Sequence, residues 1–258
     1  MRNYGSDGGE SKVKSLHKAL LVLEEFMKAE TYLGVNQIAD TLSLPKSTVS
    51  NILSVYQSRG FIERDTRSGK YKLGIKALEL SNRTYQMNDV RRILQPYMQE
   101  LGRYSMENVL LATYNDGEVV YIGAVHEERS TFSGRYVIGV RAPIYCTGVG
   151  KAILAFSGPD EFASVIQKGL KAYTENTITD YRLLEEDMAL IRQRGYAIDN
   201  MEHEFGLKCV AVPIFNSEGD VVAGLSISGP SLRMSDEKIE DYSVQLKDVA
   251  RRAAPMLI

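Results

Sequence analysis

Residues 35–73 contain the feature that most constrains the fold: two short helices joined by a corner and followed by a two-stranded basic segment. The first helix is VNQIADTLS, Leu44-Pro45 forms the corner, and the second helix is KSTVSNILSVYQSRG. The second helix carries apolar residues at helical spacing, which predicts one buried stripe: Val49, Ile52, Leu53 and Tyr56. This pattern is typical of a winged helix-turn-helix, which places its second helix in the major groove of DNA.

The opposite face of this second helix is short, polar and free of carboxylates. Small hydroxyl and amide side chains can approach base edges closely, and the amide of Asn51 can pair with adenine through two hydrogen bonds. We therefore predict DNA contacts from Lys46, Ser47, Thr48, Ser50, Asn51 and Ser54.

Charge is distributed unevenly along the chain, although the net charge is only −2. Residues 1–85 carry 13 Lys or Arg and 9 Asp or Glu, whereas residues 86–258 carry 18 and 24. The basic excess is densest in FIERDTRSGKYKL, where two strands flank Ser68-Gly69, a turn pair suited to a hairpin. Such clustering favours a phosphate-binding surface, with Arg64, Arg67 and Lys70 as the predicted backbone contacts.

The length of 258 residues predicts two domains. We expect a disordered polar arm over 1–12, a DNA-binding domain over 13–74, a linker helix over 75–88 and a second domain over 89–258. The chain has no apolar run long enough for a bilayer, no signal peptide and only two cysteines, Cys146 and Cys209. These features favour a cytoplasmic protein without a membrane partner.

The second domain begins with a regular apolar stripe between Val90 and Leu101, which predicts a helix. Strand-like segments follow, including VLLATYN, EVVYIGAV, YVIGVRAPI over 136–144, KCVAVPIFN and VVAGLSISG. Helices are expected between them, without a regular alternation of strand and helix. We therefore predict an α+β domain around an antiparallel sheet.

Small polar groups concentrate in three segments of this domain: CTGVGKA, DNMEHEFGLKC and GLSISG. The first has the form of a tight turn opening a helix, where backbone N–H groups favour an anion. A glycine turn that binds nothing remains an alternative, and the absence of a Walker motif disfavours a nucleotide. Ser226 and Ser228 alternate along a strand, so both hydroxyls lie on one face of the sheet.

The LPKST corner, PIYCTGVGKAILA, the acidic segment ending in CVAVPIF, and GLSISGP together resemble the IclR family of bacterial transcriptional regulators from about Ser15 to Ile258. The resemblance implies a winged helix-turn-helix joined by a helix to a GAF-like effector domain, and dimers or tetramers on palindromic operators. It also implies a site for a small 2-oxo acid formed by Gly148, Val149, Asp199, Cys209, Ser226 and Ser228, and we expect no cofactor. Many members carry His-Ala where this chain has Tyr145-Cys146.

The sequence leaves two other classes of function open. An enzyme could use Cys146 or Cys209 as nucleophile with His126 or His203 as base, although the spacing matches no known triad. A metal or redox sensor could instead use His203, Glu202, Glu204 and the two cysteines. The interpretation we favour is a repressor released from its operator by a small keto, hydroxy or sugar acid.

Overall fold

The computed structural model describes residues 13–29, 31–87, 89–126 and 138–257. The chain divides between Met87 and Asn88 into two compact units. The predicted disordered arm over 1–12 lies outside the described residues. The elements of the first unit, in chain order, are α1 (Lys14–Lys28), α2 (Val35–Leu42), α3 (Lys46–Ser58), β1 (Ile62–Arg64), β2 (Tyr71–Leu73) and α4 (Ile75–Gln86).

The first unit is a winged helix-turn-helix built around a small apolar core. Ser43 adopts the left-handed conformation (φ 52°) after α2, which turns the chain through Leu44-Pro45 into α3. β1 and β2 pair antiparallel, with Arg64 opposite Tyr71. Helices and hairpin share one buried cluster: Val22, Phe26, Ile38, Ala39, Val49, Leu53, Ile62 and Tyr71. Burial of each Val, Leu, Ile or Phe side chain in this cluster contributes about 1.5–3 kcal/mol to stability.

The buried face of α1 differs from the face that the sequence predicted. The apolar spacing over residues 13–29 predicts a buried stripe of Leu16, Ala19, Leu20, Leu23, Phe26 and Met27, but the side chains of Leu16, Leu20 and Met27 are 57%, 48% and 74% exposed. Phe26 is buried as predicted, one turn from Val22, which the predicted stripe did not include. Because α1 is apolar around much of its circumference, periodicity alone does not decide which side faces the core.

The wing also departs from the expected tight hairpin. Ser68-Gly69 belongs to a longer loop between Arg64 and Tyr71, closed by a hydrogen bond from Asp65 N–H to the Lys70 carbonyl (2.8 Å). The Asp65 carboxylate accepts hydrogen bonds from the Ser68 N–H (2.8 Å) and hydroxyl (2.5 Å). A side chain therefore stabilises the loop from inside, which a two-residue turn does not require.

The second unit has α+β architecture, as predicted. Its elements are α5 (Asp89–Ser105), β3 (Asn108–Asn115), β4 (Glu118–Val125), β5 (Arg141–Pro143), α6 (Gly148–Leu154), α7 (Pro159–Lys168), α8 (Tyr181–Arg194), β6 (Ala197–Asn200), β7 (Leu207–Phe215), β8 (Val221–Pro230) and α9 (Asp236–Ala253). Its described strands form one antiparallel sheet in the order β5-β4-β3-β8-β7-β6.

Each face of this sheet has its own core. One face packs against α5 and α9 through residues such as Leu94, Leu111 and Leu225. The other packs against α6 and α8 through residues such as Val149, Met188 and Ala211. Side chains alternate between the two faces along each strand, so the polar residues of β7 and β8 that share a face lie on the α6 side.

Within the strand predicted over 136–144, residues 136 and 137 lie outside the described residues, and β5 itself is only Arg141–Pro143, opposite Val120 to Glu118 of β4. Gly139 and Val140 still exchange backbone hydrogen bonds with Tyr121 of β4 (2.8 and 3.1 Å). Gly139 has φ +83°, which turns the chain just before β5. Pro143 has no N–H to donate and suits the edge position of β5. Among the described residues, the regular strand therefore begins only after the turn at Gly139.

Candidate DNA-binding surface and effector site

The outer face of α3 presents the predicted polar side chains. Lys46, Ser47, Ser50, Asn51 and Ser54 are exposed, and Thr48 is partly buried. Val49 and Leu53 on the opposite face are completely buried. Because the helix is held from one side only, its polar face is free to lie in a groove of DNA.

The three predicted wing cations have different surroundings, although all are exposed. Arg64 donates from Nε to the Gly69 carbonyl (3.2 Å), and its guanidinium lies 5.7 Å from the centre of the Tyr71 ring. Arg67 and Lys70 lie on the wing loop, and among the described residues neither side chain has a hydrogen bond or ion pair. Arg64 is therefore partly used to hold the wing, whereas Arg67 and Lys70 are free to contact phosphates.

The glycine turn lies against β7 at the start of α6. A Cβ added to Gly148 would lie 2.6 Å from the Cys209 sulfur, so only glycine allows this approach. The Gly148 N–H lies near the Cys209 sulfur and opposes the rise of its pKa, whereas the Gly150 N–H donates to Thr147 Oγ1 (3.3 Å). The Val149 N–H has no hydrogen-bond partner among the described residues. The N–H groups of Gly148 and Val149 are therefore the donors that the start of α6 can offer to an anion.

A row of buried polar side chains crosses four strands on the α6 face of the sheet. Asn108 of β3 lies opposite Ser228 of β8, Ser228 opposite Cys209 of β7, and Cys209 opposite Asp199 of β6. Directly opposed residues share a face, so these four side chains form one line, which we name the polar row. Each is between 3% and 7% exposed. Ser226, two residues before Ser228, lies on the same face beside the row.

The serine hydroxyls of this face are buried without partners. Ser226 and Ser228 are 2% and 3% exposed, yet neither hydroxyl makes a hydrogen bond within the described part of the chain. Buried hydroxyls are normally satisfied because an unpaired one costs free energy. These two groups are therefore available to a ligand.

Asp199 lies at the β6 end of the polar row. Its Oδ1 accepts a hydrogen bond from Glu202 N–H (2.7 Å), and the Cys209 thiol donates to Oδ2 across 3.7 Å. Burial raises the pKa of Asp199 to about 6, although these hydrogen bonds and Lys151 lower it. A protonated Asp199 is therefore accessible close to neutral pH.

Beside Asp199 lies a buried ion cluster that sequence reasoning missed. Lys151 of α6 is 2% exposed and donates to Glu202 (2.5 Å) and to Asp187 (2.9 Å). Burial lowers the pKa of Lys151, but the two carboxylates outweigh this effect and raise it above its ordinary value. Burial raises the pKa of Glu202 to about 7, and its Oε2 is buried without a partner. Lys151 thus pairs with two carboxylates, and Asp187 has a second, longer contact with Arg194 (3.9 Å).

The alternatives based on cysteine, histidine and metal chemistry receive no geometric support. Cys146 and Cys209 are free and buried, and burial raises the pKa of both thiols, which disfavours a thiolate nucleophile. His203 packs against the Tyr173 ring (centroids 5.3 Å apart). Over the described residues, no three His, Cys, Asp or Glu side chains are placed to hold a metal ion. Glu202, considered as a metal ligand, instead pairs with Lys151.

The structure adds Asn108, His126 and Tyr121 to the residues near this site. Asn108 Oδ1 lies 2.8 Å from His126 Nδ1. Tyr121 of β4 has Cys209, Asp199 and Cys146 as electrostatic neighbours, and burial raises its pKa. The predicted strand VLLATYN began one residue after Asn108, and His126 was considered only as a catalytic base. The sequence did contain a signal for Asn108, because it is a polar residue directly before the apolar run of β3.

No helix in the described part of the chain is long and apolar enough to cross a membrane.

Tyr145 and Cys146, the pair at which the sequence departs from the expected family pattern, are both buried. The Tyr145 hydroxyl donates to the Lys171 carbonyl (2.7 Å), so this pair is part of the domain core.

Known proteins similar to this chain combine the same two units. The chain matches the models of the IclR helix-turn-helix domain over residues 15–66 and of the bacterial transcriptional regulator IclR C-terminal domain over residues 82–254. The HTH-type transcriptional regulator KdgR of Escherichia coli (strain K12) is 34% identical over 260 residues, which cover 100% of this chain and 97% of KdgR. The HTH-type transcriptional repressor AllR of the same strain is 32% identical over 239 residues, covering 92% and 88%.

A solved structure extends the comparison to a liganded protein. The IclR homolog complexed with 4-hydroxybenzoate from Microbacterium hydrocarbonoxydans has a TM-score of 0.78 and 26% identity, and covers 92% of this chain and 99% of that one. The curated relatives are transcriptional regulators, not enzymes. With both family models matched in order and a curated relative aligned along its whole length, this chain belongs to the IclR family of bacterial transcriptional regulators.

Proposed function

We propose that this regulator is a repressor whose operator binding is controlled by a small organic acid bound in its second unit. The observation that carries the proposal is the pair of buried, unpartnered serine hydroxyls beside Asp199 on one sheet face. AllR is described as a repressor, and the complex from Microbacterium hydrocarbonoxydans contains an aromatic carboxylic acid, 4-hydroxybenzoate. These relatives support a repressor that responds to an organic acid, and we propose a keto, hydroxy or sugar acid from the polarity of the site.

The proposed domain organisation is a DNA-binding domain over 13–74, a linker helix over 75–88 and an effector-binding domain over 89–258. In the first of these, α3 enters the major groove and the wing follows the DNA backbone. The proposed base and backbone contacts are Lys46, Ser47, Thr48, Ser50, Asn51, Ser54, Arg64, Arg67 and Lys70. We propose Arg67 and Lys70 ahead of Arg64 for phosphate contact, because Arg64 already donates a hydrogen bond within the wing.

The proposed effector site lies between the glycine turn of α6 and the strands β6 to β8. Its residues are Gly148, Val149, Asp199, Cys209, Ser226 and Ser228. Serine hydroxyls and the Val149 N–H suit the ligand carboxylate, because charge-assisted hydrogen bonds to neutral donors are strong. Asp199 repels an anionic group while ionised, so it faces a ligand hydroxyl or holds a proton. This polarity favours a hydroxy or keto acid.

The proposed assembly is a homodimer at least, with a tetramer built as a dimer of dimers. A palindromic operator requires a two-fold symmetric protein. The regular apolar stripe of α5 offers no surface for this assembly, because it is buried in its own domain core through Leu94, Met98 and Leu101. Support comes instead from α1 and α4, which expose Leu16, Leu20, Met27, Ile75 and Leu78. Light scattering tests this proposal, and a stable monomer of 28.8 kDa at micromolar concentration refutes it.

The central experiment compares ligand response with ligand-free DNA binding. A thermal-shift screen of oxo, hydroxy, sugar and aromatic acids identifies the effector, since saturation at about 100 times Kd stabilises the folded state by about 2.7 kcal/mol. The double substitution Ser226→Ala and Ser228→Ala is expected to abolish the ligand's effect on operator binding and to leave ligand-free binding intact. A full ligand response in that variant contradicts the proposed site.

A further inference from the structure

A cleft in the second unit lies between the end of α6, the start of α7 and one face of α8; we name it the α6–α8 cleft. Its volume is about 460 Å³, which is large enough for a small organic molecule. Its floor is apolar, because Leu154 and Met188 are 2% and 1% exposed. Phe156 and Phe162 form its walls, and Phe156 is held edge-on against Phe215 (ring centroids 5.2 Å apart). The cleft therefore offers a fixed apolar surface to a ligand.

The α6–α8 cleft is separate from the proposed effector site. That site adjoins Gly148 and Val149 at the start of α6, whereas the cleft adjoins Leu154, the last residue of this helix. None of the six residues proposed for the effector is among the described residues that line the cleft. A ligand in the cleft therefore does not need the serines of β8.

Arg192 supplies the cleft with an oriented cation. Its Nη1 donates to the Ala155 carbonyl (2.9 Å), which holds the guanidinium at the end of α6. Its Nε and Nη2 groups have no partner within the described part of the chain. These two groups form one edge of the guanidinium, and such an edge binds a carboxylate through two parallel hydrogen bonds.

Another arginine of the same chain shows this pairing in full. Arg233 donates from Nε and Nη2 to the two carboxylate oxygens of Glu107 (2.6 and 2.7 Å). In Arg192 the corresponding edge is open to the cleft, and the remaining nitrogen is already held by Ala155. Because the side chain is ordered before a ligand arrives, less conformational entropy is lost when a carboxylate binds.

Glu185 places the opposite charge at the other end of the cleft. Glu185, Met188 and Arg192 are spaced i, i+3 and i+7, so they share one face of α8, with Met188 between the two charged residues. Over the described residues, Glu185 makes no hydrogen bond or ion pair. Its carboxylate therefore repels a second anionic group on a ligand whose first carboxylate is bound at Arg192.

We propose that the α6–α8 cleft is a second ligand site of this protein, for a monocarboxylic acid with an apolar body. Arg192 binds the carboxylate through Nε and Nη2, the apolar body packs on Met188 between the two phenylalanine rings, and Glu185 excludes diacids. This inference goes beyond the proposed function, because the effector site is polar and selects a different class of acid.

The test is isothermal titration calorimetry with the full-length protein and two matched pairs of probes. The first pair is 3-phenylpropanoate and its neutral amide, and the second is octanoate and the diacid octanedioate. The wild type is expected to bind 3-phenylpropanoate about tenfold more tightly than the amide, because the amide cannot form the charge-assisted pair with Arg192. It is also expected to bind octanoate more tightly than octanedioate.

Three variants assign the charges. Arg192→Gln is expected to weaken both monocarboxylates about tenfold and the amide by less than about threefold. Arg192→Lys, which keeps the charge but lacks the paired edge, is expected to restore only part of that loss. Glu185→Gln is expected to leave octanoate unchanged and to strengthen octanedioate by about threefold. Arg182→Gln is the matched control, because Arg182 is an exposed arginine in the first turn of the same helix.

A fourth variant separates the two sites. The double substitution Ser226→Ala and Ser228→Ala is expected to leave binding of both monocarboxylates intact. If it abolishes their binding while Arg192→Gln does not, the probes occupy the effector site; the proposed function then stands and this inference fails.

Three further outcomes overturn the inference: no binding of either monocarboxylate to the wild type, equal affinity for 3-phenylpropanoate and its amide, and equal losses in Arg192→Gln and Arg182→Gln. Urea titration confirms that each variant is folded. If Arg192→Gln does not fold, Arg192→Lys decides the matter, and unchanged monocarboxylate binding in that variant contradicts the paired contact.

Discussion

The outer face of α3 and the polar row of the effector domain use similar side chains in opposite environments. Serine and asparagine are exposed on α3, where water competes for every hydrogen bond before DNA arrives. The same residue types in the row are at least 95% buried at Asn108, Ser226 and Ser228. In the row, charges are only weakly screened and each unpaired group costs free energy. Substitutions on α3 should therefore alter binding alone, whereas substitutions near the row should also alter folding.

The largest effect is expected at the buried ion cluster. Lys151→Met leaves Glu202 without its counter-ion and Asp187 with only the longer contact to Arg194 (3.9 Å), and breaking such a buried pair costs about 3–5 kcal/mol. The measurement is the free energy of unfolding from urea titration. Lys168→Met is the matched control, because its ion pair with Asp116 is half-exposed and is worth about 1 kcal/mol or less. Equal losses in the two variants would mean that the buried cluster is well solvated.

The pH dependence of stability provides the next largest effect. The pKa of Asp199 rises from 3.8 to about 6 on folding, so the folded state binds the proton more tightly than the unfolded state. The resulting stabilisation is complete below pH 3.8 and is lost as the pH rises through about 6; it amounts to about 3 kcal/mol. Asp199→Asn removes this contribution. The difference in unfolding free energy between wild type and variant should therefore change between pH 4 and pH 7.5, and a constant difference contradicts the shift.

A smaller effect is expected on the exposed surface. Asn51→Ala should weaken binding to a specific operator by about 1–3 kcal/mol and relax the preference at one base position. The unfolding free energy should change by less than about 0.5 kcal/mol, because Asn51 is exposed. Fluorescence anisotropy with operator variants measures the first quantity and urea titration the second. Unchanged discrimination at every base would argue against docking of α3 in the major groove.

The smallest expected effect concerns the wing. Arg67→Ala should weaken all DNA sequences alike and make the slope of log affinity against log salt shallower by roughly one unit. Arg64→Ala should change the slope less, because its guanidinium already contacts Gly69 and Tyr71. Fluorescence anisotropy titrations at salt concentrations from about 50 to 200 mM give the slope for each variant. A larger slope change for Arg64 than for Arg67 would reverse the order inferred from the wing contacts.

Sequence patterns predicted the features that depend on local periodicity. The buried Val49 and Leu53 of α3 follow from helical spacing, and Ser226 and Ser228 share a face because strands alternate with period two. The α+β class followed from the mixture of strands and helices. The positions of Asp199 and Cys209 beside one another followed only from the family resemblance.

The missed features depend on contacts between distant segments. Burial of Lys151 requires Asp187 and Glu202, which lie 36 and 51 residues away. Asn108 gains its place in the row from strands β6 to β8, far along the chain. The inward face of α1 depends on α2 and α3, because both of its faces are apolar. The short β5 depends on the turn at Gly139, and an apolar run does not reveal such a turn.

The close approach of Gly148 to Cys209 means that these two positions share one volume. A methyl group at 148 would overlap the sulfur at 2.6 Å, but once that sulfur is removed its nearest neighbours are Ala211 Cβ at 3.4 Å and Cys209 Cβ at 3.7 Å, which are ordinary contacts. The pair can therefore be exchanged: Gly148→Ala, damaging alone, should be tolerated beside Cys209→Ala. The Cys209 sulfur and a methyl group at position 148 would occupy the same space, so the distance between α6 and β7 depends on the residues at both positions.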